Sequence, residues 1–154
     1  MPAIFHTQIA LDGYDFPEYQ LTFKISGSPV AADVGKALSI DTAAANTVKL
    51  AADGDRIIGY LMSFEDRVIE GQKVGVVGLK FAQKLKIKSG ETVIVGSRLV
   101  GAGAGEVKAG AIPAVTTLEP TAVQVAATAA AASALAGAPL VVAVADGYAT
   151  ALYL

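Results

Sequence analysis

The chain has 154 residues, no cysteine and a formal net charge of -2. That length is close to one domain and buries a full hydrophobic core without metal or disulfide support. The missing thiols exclude cysteine catalysis, Cys-ligated zinc and iron–sulfur clusters, and the small net charge gives no general attraction to DNA, RNA or anionic lipid.

Hydrophobic residues make up 53% of the chain and charged ones 17%, below the ~25% charge of ordinary globular domains. Much of the excess is Ala, Val and Gly. Such a chain has little charged surface with which to stay dispersed, so its apolar surface is expected to meet another subunit.

Residues 1–11 lack the basic start and apolar run of a secretory signal. Phe5, Tyr14, Phe16, Tyr19 and Phe23 gather half of the aromatic rings into 1–25. Two readings are open: ordinary core, or an N-terminal arm that lays aromatic anchors on a neighbour. Gln-Leu-Thr-Phe-Lys-Ile over 20–25 alternates polar and apolar, the period of a half-buried strand.

From 26 to 107 short apolar runs alternate with turn signals. Ser26-Gly27-Ser28-Pro29 opens a loop, and 30–50 holds a segment, 41–46, that reads as a helical turn or a loop. Asp53-Gly54-Asp55 precedes the apolar run 57–64, Glu70-Gly71 separates it from 73–77, and Ser89-Gly90 joins 84–88 to 92–95. Turns this close leave no room for crossover helices, so a β-sandwich or small β-barrel is expected.

Residues 120–136 read as one Ala-rich α-helix, with Pro120 in the first turn and Gly137 and Pro139 as the stop. After it, 140–145, Asp146-Gly147 and 148–154 form a hairpin with a type I′ turn pair. The uncharged stretch 121–145 is not expected to span a membrane. It is Ala-rich, Gly137-Ala138-Pro139 interrupts it, and no Lys or Arg follows Lys108. The fold expectation is therefore a single, mainly β domain over 1–154, a small barrel or sandwich with one helix.

Groups able to do chemistry are sparse. His6 is the only histidine, and no Gly-x-Ser-x-Gly elbow accompanies it. Asp53 and Asp55, or Glu65 and Asp66, are carboxylate pairs of the kind used in acid–base work or Ca²⁺ binding. Asp-Gly-Asp is equally what a tight turn prefers, and no acidic ligand follows at EF-hand spacing. Gly101, Gly103 and Gly105 miss the dinucleotide spacing by one residue and read as a flexible hairpin end. Lys84, Lys86 and Lys88 fall on one strand face, with Leu85 and Ile87 on the other. That pattern fits a solvated face, a lysine-protected edge strand, or a docking face for an acidic protein surface; without interleaved aromatics it does not fit nucleic acid. No enzyme activity, cofactor or metal is expected.

Several segments together resemble the head-decoration (capsid cement) proteins of tailed bacteriophages. They are Asp53-Gly54-Asp55-Arg56-Ile57-Ile58-Gly59-Tyr60, Glu70-Gly71-Gln72-Lys73-Val74-Gly75-Val76-Val77, Val95-Gly96-Ser97-Arg98-Leu99-Val100, Gly105-Glu106-Val107-Lys108 and the closing 141–154. Residues 120–138 are not part of that plan and read as a helical insertion. The resemblance implies a virion protein on the outer capsid surface, a dimer or trimer that bridges major capsid subunits and has no catalytic residues. Phe5, Tyr14, Phe16, Tyr19, Lys84, Lys86 and Lys88 are then the candidate interface. A self-assembling tail or shell subunit is the alternative, and a small-ligand-binding protein or enzyme a further one.

Overall fold

The computed structural model describes residues 14–15, 19–112 and 122–154. The apolar run 57–64 feeds a strand that is buried at Gly59, Tyr60 and Leu61 and emerges from Ser63 onward. This strand, β5 (Gly59–Arg67), follows β1 (Tyr14–Asp15), β2 (Gln20–Ile25), β3 (Ala37–Ile40) and β4 (Thr47–Leu50) in chain order. With β6 (Gln72–Gly78) it completes a closed barrel in the order β2-β4-β3-β5-β6. All the pairings are antiparallel except β2 with β4, which run parallel at Lys24↔Thr47 and Ile25↔Val48. That parallel pair closes the barrel and leaves it no free edge.

Ile25, Leu38, Val48, Leu61 and Val77 fill the barrel. The lumen is narrow. A Cβ at Gly75 would stand 2.5 Å from the Ser63 carbonyl oxygen and 2.7 Å from both Ile25 Cδ1 and Leu61 Cδ1, so glycine is the residue that fits.

Outside the barrel wall lies a second core. Ala37 and Tyr60, the chain neighbours of Leu38 and Leu61, point outward and pack with Phe81, Leu85, Leu99, Val107, Val141, Ala149 and Ala151. The period-two alternation of a strand thus supplies both cores from one sequence. The covering layer is a four-stranded sheet in the order β1-β7-β11-β10, with β7 (Phe81–Lys86), β10 (Leu140–Ala145) and β11 (Tyr148–Tyr153). A hairpin of β8 (Leu99–Gly103) and β9 (Glu106–Ala109) completes it.

The barrel-plus-helix expectation is met: the described residues are mainly β, with a closed barrel and the helix α1 (Ala122–Ala136). Residues 41–46 form a loop between β3 and β4, in which Asp41 Oδ1 accepts from the Ala43 amide at 3.0 Å. Asp146 and Gly147 turn the β10–β11 hairpin at φ 51° and 78°, both in the left-handed region that a type I′ turn needs.

Two expectations are corrected. Residues 92–95 are not a strand. Val93 is buried, Ile94 and Val95 are exposed, and the Ser97 amide turns back to the Ile94 carbonyl at 3.0 Å. The adjoining backbone bonds to β10 instead, Gly96 N to Val141 O at 2.9 Å. The glycine-rich end at 101–105 is docked rather than free. The Gly105 amide donates to Ala51 O and its carbonyl accepts from the Ala37 amide, both at 3.0 Å.

Candidate interaction surface

The lysine strand lies where the alternation predicts. Lys84 and Lys86 are exposed, Leu85 is fully buried and Ile87 half-buried. β7 is not the outer strand of its sheet, however: β11 pairs along its whole length, and β1 pairs at Phe81 and Ala82 on the other side. At Lys84 and Lys86 the ladder is paired on the β11 side, and β1 does not extend to them, so the solvated-face and edge readings both stand. Lys86 pairs with Glu106 at 2.8 Å, and that carboxylate raises its pKa. Lys88 Nζ donates to the Ala102 carbonyl at 2.9 Å and ties β7 to β8. Lys86 and Lys88 are thus engaged within the chain.

Of the aromatic candidates, Tyr19 is 39% exposed, and Lys80 Nζ stands 4.2 Å from its ring centroid. Tyr14 pairs its backbone with Ala82, which places 14–15 of the expected arm against the chain's own sheet. Residues 20–25 are a barrel stave. Phe5, Phe16 and His6 lie outside the described residues.

The carboxylate pairs do not converge. Asp53 pairs with Lys108 at 2.9 Å, whereas Asp55 turns inward and pairs with Lys49 at 3.1 Å. Asp55 Oδ2 also accepts from Ser39 Oγ at 2.8 Å and from the Ala52 amide at 3.0 Å. These are turn bonds, the second of the two readings. Burial raises the Asp55 pKa, but the Ala52 amide, Ser39 hydroxyl and Lys49 ammonium outweigh it and hold the carboxyl below its ordinary 3.8. Asp33 behaves alike: burial raises its pKa, and Lys36 at 2.7 Å with the Val30 amide at 2.8 Å lowers it further than burial raises it.

A pH dependence follows. Both carboxyls are depressed in the folded state, so their stabilisation is fully present above the ordinary carboxylate value of 3.8 and is lost as pH falls through their folded values. Thermal unfolding is expected to hold steady near neutrality and to drop below about pH 4. Asp55→Ala, which strips the buried Ser39 hydroxyl of its acceptor, is expected to cost about 1–3 kcal/mol at pH 7 and less at pH 3, where part of the carboxylate's contribution is lost. Equal losses at both pH values would refute the assignment.

The surface that stands out is apolar. Helix α1 contains no charged residue. Gln124, Thr128, Ala131 and Leu135, spaced four, three and four apart, are its half-buried positions, a single stripe of one helix face. Gly110 at the end of β9 receives Leu135, whose Cδ2 a Cβ there would overlap. Arg98 Nη1 donates to the Ala138 carbonyl at 2.8 Å just beyond the helix end. The remaining positions from Val125 to Ala136 are exposed, Val125 by 51%. Ile94 and Val95, next to the lysine strand in sequence, add 67% and 62% exposure, and Ile112 adds 51%.

A second apolar feature escaped the sequence reading: Val68, 80% exposed, and Ile69, fully exposed, at the tip of the β5–β6 hairpin. Their signal was two aliphatics placed in a turn, between Arg67 and Glu70-Gly71, where a core strand cannot use them. Among the described residues no helix is long and apolar enough to cross a membrane, and no group of three or more acidic or histidine side chains is placed to hold a metal ion. Comparison with protein-family models, with curated proteins and with solved structures finds no match to this chain.

Proposed function

We propose that the protein is a structural virion component that binds the outer surface of a bacteriophage capsid as a dimer or trimer and stabilises it by bridging major capsid subunits. The observation that carries this reading is the uncharged face of α1, exposed over most of its length. A 15-residue helix is marginal in water by itself, and in folded proteins most helix stability comes from packing. The described residues cover one stripe of α1, so a protein surface of low charge is the natural cover for the rest. Ile94, Val95 and Ile112 extend the same kind of surface.

A ligand that binds the assembled shell and not its separated subunits stabilises the shell by mass action, by about 2.7 kcal/mol per site at a hundredfold excess over Kd. Copies on one lattice reinforce each other when linked in an oligomer. The purified chain is expected to add to expanded, undecorated heads at stoichiometric occupancy and to raise their melting temperature. Replacing Ala126 and Ala130 on the exposed helix face by Glu is expected to abolish that addition and leave the fold's own melting unchanged. Failure of the unmodified chain to bind expanded heads rejects the reading.

A further inference from the structure

The β5–β6 hairpin continues past the barrel. β2 covers β6 only as far as Val74, and β3 covers β5 only at Gly59 and Tyr60, whereas the two strands go on pairing to Arg67↔Gln72. A single 3-10 turn, Val68–Glu70, caps the hairpin, and Gly71 leaves it at φ 63°. The tip displays Val68 and Ile69 inside an acidic collar of Glu65, Asp66 and Glu70. Arg67 bridges Glu65 at 3.3 Å and Glu70 at 3.6 Å, and Lys73 stands across the ladder from Asp66. Three carboxylates against one guanidinium and one ammonium leave an excess of one negative charge.

The same chain carries the complement. A cleft of about 270 Å³ opens between the end of α1 and the β10–β11 pair, walled by Ala136, Leu140, Leu152 and Tyr153. Arg98 stands in its lining. Arg56 stands beside Gly137 of that lining, where a Cβ would lie 2.8 Å from its Nη2. One guanidinium thus lines the cleft and a second adjoins it, over an apolar floor. Apolar tip and apolar floor, a net negative tip and a positive mouth, match in kind.

We propose that the hairpin tip of one copy seats Ile69 in this cleft of a second copy, with the acidic collar against Arg56 and Arg98. The occupant cannot be the chain's own tip, because Ile69 is fully exposed in it. An anionic lipid surface is disfavoured by the carboxylates. The two surfaces differ, so the contact is heterologous: every copy both gives a tip and receives one, and repetition yields a closed ring or an open chain. The inference stands apart from the capsid reading, and its test uses the chain alone, so either can fail without the other.

The test begins with sedimentation velocity from micromolar to millimolar concentration, where the chain is expected to associate. Ile69→Asp, at a position with no contact to lose within the fold, is expected to weaken association about tenfold or more and to leave the melting temperature unchanged. Arg98→Glu is expected to weaken it as well, and Glu70→Arg combined with Arg98→Glu to restore part of the loss. Because Arg98 also supports the Ala138 carbonyl, a cross-link gives an independent measure. The chain has no cysteine of its own, so mixed Ile69→Cys and Ala136→Cys proteins are expected to form the mixed disulfide in preference to either homodimer. A monomer at millimolar concentration, association indifferent to Ile69→Asp, or absence of the mixed disulfide each overturns the proposal. A monomeric chain that loses capsid binding on Ile69→Asp also overturns it and assigns the tip to a foreign protein.

Discussion

Phe81→Ala is expected to remove about 3–5 kcal/mol of folding stability. Phe81 is fully buried at the meeting point of the two halves of the fold. Its backbone pairs with Asp15 on one side and Tyr153 on the other. Its ring lies 5.1 Å from that of Tyr60, edge-on at 65°, and 5.8 Å from that of Tyr153. Tyr60 belongs to the barrel and Tyr153 to the covering sheet, so the ring joins the layers as well as filling space. Aromatic pairing adds about 0.5–1.5 kcal/mol beyond area, and the cavity left by alanine cannot collapse between two sheets held by their own ladders. At about 2–4 °C per kcal/mol for a chain of this size, the melting temperature is expected to fall by roughly 6–20 °C. Circular dichroism on heating checks it, with Ile69→Ala as the surface control, expected within about 0.5 kcal/mol of the parent. A Phe81→Ala protein that melts with the control would mean that the two layers are not joined here.

Gly101→Val is the second substitution with a large expected effect, about 3 kcal/mol or more, for the opposite reason: space is lacking. Gly101 lies in β8 with its Cα against the turn at 51–55. Its amide donates to Asp55 O at 2.8 Å, and its carbonyl accepts from the Gly54 amide at 2.9 Å. A Cβ would overlap the Ala52 carbonyl oxygen and stand 3.0 Å from Ala51 Cβ. Backbone cannot rotate out of the way as a flexible side chain can, so β8 must separate from the turn and release both hydrogen bonds. Urea unfolding is expected to show a lower midpoint, and hydrogen exchange of the Gly54 amide is expected to accelerate. By contrast, Gly103→Ala meets no neighbouring atom and acts only through its φ of 101°, so it should cost less. If the two substitutions destabilise equally, conformational strain rather than close approach governs this hairpin.

Several residues carried their structure in their sequence. The alternation over 20–25, the Asp146-Gly147 pair, Gly71 before β6 and the Gly137 stop after the helix are local signals, set by side-chain period and by φ, and each element formed where they place it. Lys84, Lys86 and Lys88 fell on the face opposite Leu85 and Ile87 for the same reason. What those lysines do was not legible. Whether β7 is an outer or an inner strand depends on β1 and β11, which are distant in the chain, and the partners of Lys86 and Lys88 come from the β8–β9 hairpin. Residues 92–95 have strand composition but no neighbour in register, and composition alone does not make a ladder. The Val68-Ile69 pair went unread because nothing local reports that β2 and β3 end before the hairpin does.

By itself the sequence determined that the protein is mainly β with one Ala-rich helix, where most of its turns lie, and that cysteine chemistry is closed to it, since these depend on residue type and short-range period. Tertiary structure alone decided that the strands close into a barrel through a parallel β2–β4 contact, that one strand feeds two cores, and which apolar side chains remain outside. Closure and exposure are sums over contacts between residues far apart in the chain, and no short window of sequence contains both partners of such a contact.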